Sequence, residues 1–142
     1  LISKRRKVRE AVLESIFQLD FNNNVSYEDA LELLRDLLKT KKVPQNLVEE
    51  AEIYLENVYH NKNEYDDLIK KYLLNWDFER IANIEKSILR MGIFELKNRE
   101  DIPPKVILDE AVELSKKYAN EKSAKFINGI LDRIAKEEFK RL

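Results

Sequence analysis

Glycine occupies only positions 92 and 129, and proline only 44, 103 and 104, in a chain of 142 residues. Hairpins and sheets need turn-forming residues at regular intervals, and here the breakers are too few to supply them. Most remaining positions hold strong helix formers, so an all-α fold follows. Apolar residues at helical spacing divide the chain into seven helices. The first is expected over Arg6–Phe21, ending at Asn22–Asn24. The second runs from a Ser26 cap to Lys39, and the third from Pro44, suited to a first turn, to Asn61. The fourth covers Glu64–Leu73.

The fifth helix, Ile84–Leu96, carries apolar residues on nearly every side and is expected to be buried all round. Gly92 within it costs ~1 kcal/mol relative to alanine, a sign that another helix approaches closely there. Pro103 disfavours helical geometry at Ile102, and Pro104 starts the sixth helix, which reaches Tyr118. The seventh extends from a cap at Asn120 or Ser123 to Lys140. Asn128–Gly129 would mark a hairpin between alternating strands, but Phe126, Ile127, Ile130, Leu131 and Ile134 place it inside a helix. The division between two half-bundles, residues 1–74 and 75–142 of a single domain, is expected near Leu74–Asp77.

Composition narrows the chemistry. There is no cysteine and a single histidine, His60, which removes disulfides, thiolate nucleophiles and the usual zinc sets. Neighbouring acids such as Glu49–Glu50, Asp66–Asp67 and Asp109–Glu110 point about 100° apart on a helix and cannot share a proton, so they are expected on solvated faces. A lone His60 at a helix end lacks the orienting partner a general base needs. Two isolated glycines make no phosphate-cradling loop. The chain is expected to be no enzyme and to need no cofactor or metal. With no apolar stretch of ~20 residues and no signal-peptide pattern, it is expected in the cytoplasm.

Charge is the informative feature. Lys4, Arg5, Arg6, Lys7 and Arg9 put five cations within six residues of a chain whose net charge is −1. Setting those five aside leaves 21 basic against 27 acidic residues, a balance of −6 for the rest. Cations at a helix N-terminus oppose the macrodipole at ~0.3–1 kcal/mol each, so the run is expected to serve a polyanionic partner. Arg6, Leu13 and Phe17 fall within about 40° on a helical projection, which puts an arginine and an aromatic on one face. A second basic segment, Lys116, Lys117, Lys122 and Lys125, lies among Tyr118 and Phe126. Cations that track phosphates beside aromatic planes suit single-stranded RNA.

The stretch "RRKVREAVLESIFQLDF" resembles the opening of the NusB family of transcription antitermination factors, with Arg5, Arg6, Arg9 and Glu10 on its Arg-Arg-x-x-Arg-Glu pattern. "ILRMGIFEL", "DIPPKVILDEAVEL" and "SAKFINGILD" follow in the family's order, so the resemblance covers residues 5–22 and 76–135. It implies two small helical bundles packed together. It also implies binding of the boxA element of ribosomal RNA leader transcripts together with the ribosomal protein NusE, within the antitermination complex on RNA polymerase. The RNA contacts it implies, with the neighbouring cations, are Lys4, Arg5, Arg6, Lys7, Arg9, Phe17, Lys122 and Phe126, and Glu85 is implied as a contact near the RNA or NusE edge. Pro104 and Ala119 depart from the family's usual larger residue and glycine. Two other readings stay open. One is a helical protein-binding scaffold, or a homodimer, without an RNA role. The other is the accessory RNA-binding domain of ribosomal RNA cytosine methyltransferases, which lead into a catalytic domain that a chain ending at Leu142 would not contain.

Overall fold

The computed structural model describes residues 3–74 and 77–142, and among them there are seven α-helices, one short 3-10 turn and no strand. The helices are α1 (Lys4–Phe21), α2 (Tyr27–Thr40), α3 (Gln45–His60), α4 (Lys62–Lys71), α5 (Asn83–Asn98), α6 (Pro104–Tyr118) and α7 (Glu121–Glu137), with the 3-10 turn at Phe78–Arg80. No described helix is long and apolar enough to cross a membrane.

The chain forms two compact units, Leu1–His60 and Asn61–Leu142. The break therefore comes earlier than the Leu74–Asp77 expected from sequence, a stretch whose residues 75 and 76 lie outside the described residues. The reason is α4, which joins α5 rather than α3. The Asp66 carboxylate takes two hydrogen bonds from the Arg90 guanidinium, at 2.6 and 2.9 Å, and Lys97 pairs with Glu64 at 2.7 Å. Asp66 is thus buried and ion-paired, which corrects its reading as part of a solvated acidic face.

In the first unit, α1 packs on α2 and α3. Its stripe of Val8, Val12 and Ile16 is buried, and so are Ala30, Leu34 and Leu38 of α2 and Ala51, Leu55 and Val58 of α3. Helix α1 begins two residues before the expected Arg6, because the Ser3 hydroxyl accepts the Arg6 N–H at 3.1 Å and caps it. Ser26 caps α2 as expected, in a reciprocal capping box with Asp29.

In the second unit, α5 packs against α4, α6 and α7, and residues 86–96 are buried without a break. Gly92 is what allows α7 so near: a Cβ built there would lie 2.7 and 2.9 Å from the two methyl carbons of Leu131. Gly129 lies inside α7 with open space around its Cβ direction. Asn120 caps α7 through its side-chain Oδ1, which accepts the Ser123 N–H at 2.8 Å. Ala119, where the family commonly has glycine, ends α6 and donates its N–H to the Ser115 carbonyl at 2.8 Å.

Candidate functional site

The opening basic run occupies the first turns of α1, and its five cations meet different fates. Lys4 and Arg5 are exposed, Arg6 and Lys7 half-buried, and Arg9 only 5% exposed. Arg5 donates to the Glu50 carboxylate of α3 at 2.8 Å, and the Lys7 ammonium donates to the Lys41 carbonyl at 3.3 Å. Lys41 in turn lies 3.6 and 3.8 Å from Glu10 and Glu14. The run is therefore pinned to α3 and to the turn between α2 and α3. Arg9, expected among the RNA contacts, is buried: on the helical projection it falls between Ile16 and Leu13, inside the sector that faces the core.

Phe17 lies three turns further along α1, half-buried. Its ring stacks on Phe21, with centroids 5.6 Å apart and planes 18° from parallel. Phe21 is 69% exposed, so the pair offers one open aromatic face. Sequence reasoning passed over Phe21, although its spacing of four from Phe17 places the two rings on one helix face.

The remaining expected residues lie in the second unit and share one hollow. Glu85 of α5, Lys122 and Phe126 of α7, and Arg80 of the 3-10 turn line a cavity of about 220 Å³. Glu85 also has a local duty, because its carboxylate accepts the Ala82 N–H at 3.1 Å and so completes the start of α5. Phe126 borders a second hollow of about 310 Å³, with Tyr72, Lys125 and Arg133. Arg133 donates to the Tyr72 carbonyl at 2.6 Å and lies 5.7 Å from the centre of its ring. Arg80 and Arg133 line these hollows without a basic run around them in the sequence to mark them.

Nearby titrating groups are structural. Glu138 accepts from the Lys71 ammonium and from the Tyr72 hydroxyl, the latter at 2.7 Å. The lysine first, and then the tyrosine, hold its carboxyl below the ordinary 4.5. The same hydrogen bond, with partial burial, pushes the Tyr72 hydroxyl up to about 12. Burial likewise raises Tyr65 to about 12. None of these groups touches the 220 Å³ hollow. Among the described residues no three acidic or histidine side chains gather as a metal would require.

The chain is 41% identical over 138 residues to the transcription antitermination protein NusB of Fervidobacterium nodosum, covering 96% of this chain and 94% of that one. It is 37% identical to its counterpart in Bacillus subtilis, over 92% of this chain and 94% of the relative. Among solved structures, NusB of T. maritima superposes with a TM-score of 0.84 at 38% identity, covering 96% and 94% of the two chains. A crystal structure of the antitermination factors NusB and NusE in complex with dsRNA matches at a TM-score of 0.78 and 27% identity, over 96% and 98%. The family model described as the NusB family matches residues 6–136, and the chain belongs to the NusB family.

Proposed function

We propose that this protein is a transcription antitermination factor of the cytoplasm that binds boxA RNA of ribosomal RNA leader transcripts together with NusE. It acts by binding, not by catalysis, as part of the antitermination complex on RNA polymerase. The observation that carries this reading is the first turn of α1, where Lys4, Arg5, Arg6 and Lys7 follow one another at the positive end of a helix dipole. Such a cluster opposes folding and suits phosphates. Lys4, Arg5, Arg6 and Lys7 serve the backbone, Phe17 and Phe126 offer rings to bases, and Lys122 adds a cation beside Phe126. Glu85 belongs to the NusE side or the edge of the RNA. Arg9 supports the run from within.

Arg5, Arg6 and Lys7 already have interactions within the protein, so each gives up part of its free-state interaction when RNA binds. The test is a titration of a single-stranded boxA oligonucleotide, and of a duplex as comparison, across a range of salt. If Lys4 and Arg6 each neutralise one phosphate, changing both to alanine flattens the slope of log K against log salt by ~1.4, at ~0.7 per contact. An unchanged slope and affinity would return the run to a solvated helix end.

A further inference from the structure

The turn between α2 and α3 lies beside the basic run, tied to it by the bond from Lys7 to the Lys41 carbonyl. Lys41 turns its ammonium toward Glu10 and Glu14. The next residue, Lys42, does not: it is exposed, and its side chain makes no ion pair or hydrogen bond among the described residues.

Its backbone is unusual as well. Lys42 holds φ at +58°, where α2 ends in a Schellman closure. The Lys42 N–H bonds to the Lys39 carbonyl and the Val43 N–H to the Leu38 carbonyl, both at 3.0 Å. Glycine is the usual residue at this left-handed position, since a Cβ is disfavoured there. The C-terminal dipole of α2 favours a cation here by only ~0.3–1 kcal/mol, which does not single out a lysine at a left-handed position. The position holds that cation out beside the corner occupied by Lys7. Lys39, one turn earlier, is exposed and of the same sign.

We propose that Lys42 contacts an RNA phosphate, so that the α2–α3 turn extends the backbone-binding surface of α1. This rests on the RNA-binding reading given above. An RNA strand is favoured over an acidic protein segment because the turn is continuous with cations already assigned to phosphate.

The variant that tests this is Lys42→Gly in the full chain, because it removes the cation while relieving the left-handed strain. Its urea midpoint stays or rises, which shows that it folds. With a labelled single-stranded boxA oligonucleotide at 0.1 M salt, one lost phosphate contact weakens binding about fivefold and lowers the salt slope by ~0.7. Lys42→Arg retains affinity and slope. Lys105→Ala, which removes one exposed cation from α6, leaves the slope where it was. If Lys42→Gly binds like wild type while the Lys4 and Arg6 double variant is weakened, the RNA-binding reading stands and Lys42 is no part of it. If Lys42→Gly weakens NusE and leaves RNA untouched, the turn is a protein contact and the proposal is overturned. If the wild type shows no salt-dependent binding, both fall together.

Discussion

Alanine placed at each of the two glycines gives opposite outcomes. Both sit inside helices, so the propensity term is shared and favours alanine by ~1 kcal/mol at either site. At Gly129 nothing lies within 4 Å of the new Cβ, and that gain is kept. At Gly92 the Cβ meets the Leu131 methyls at 2.7 and 2.9 Å, whereas carbon atoms pack comfortably at about 3.5–4.0 Å. Leu131 is fully buried, so its methyls have no open space to move into. Overpacking of this kind costs ~1–3 kcal/mol. The two variants should therefore differ by ~1–3 kcal/mol, with Gly129→Ala the more stable. Urea unfolding followed by circular dichroism reads this directly: at an m-value of ~2 kcal/mol/M the midpoints separate by ~0.5–1.5 M. Removing the obstacle supplies the control. Leu131→Ala alone should cost ~2–5 kcal/mol, and the double variant with Gly92→Ala should cost less than the two changes added. Equal midpoints for Gly92→Ala and Gly129→Ala, or strict additivity in the cycle, would refute the close approach of α5 and α7.

Asp66→Ala should cost ~3–5 kcal/mol, because it leaves the buried Arg90 guanidinium without its counter-charge; a loss below 1 kcal/mol in urea unfolding would show that water reaches the pair. Glu138→Gln should weaken the protein at neutral pH but not in acid. Its carboxyl is held below 4.5 in the fold, so the stabilisation is complete above the unfolded value and is lost as pH falls through the folded one. A difference between wild type and Glu138→Gln that stays constant from about pH 6 to pH 3 would contradict that linkage.

Local signals told the fold well where the physics is local. Ser26 and Pro104 begin their helices as read, and the apolar residues on nearly every side of 84–96 become a helix buried along most of its length, with Lys86, Ser87, Arg90 and Glu95 buried among them. Ser3 carries an equally local cap, two residues before the predicted start and followed by a run of cations that the helix dipole disfavours at an N-terminus. What could not be read is long-range pairing. Arg5 finds Glu50 across 45 positions and Arg90 finds Asp66 across 24, and nothing in either neighbourhood marks one partner for the other. The place of α4 depends on that second pair, so the division of the chain came out too late. The candidate site was proposed from charge and aromatic residues. Its burial was not legible: Arg9 looks like its neighbours in sequence but shares a helix face with the core.

The central claim is a cooperative RNA complex, and the dissociation constant of boxA RNA with and without saturating NusE tests it most directly. Cooperative assembly predicts that NusE tightens RNA binding, typically five- to 150-fold for couplings of ~1–3 kcal/mol, and that saturating RNA tightens NusE binding by the same factor. An RNA dissociation constant that NusE leaves unchanged would contradict the claim.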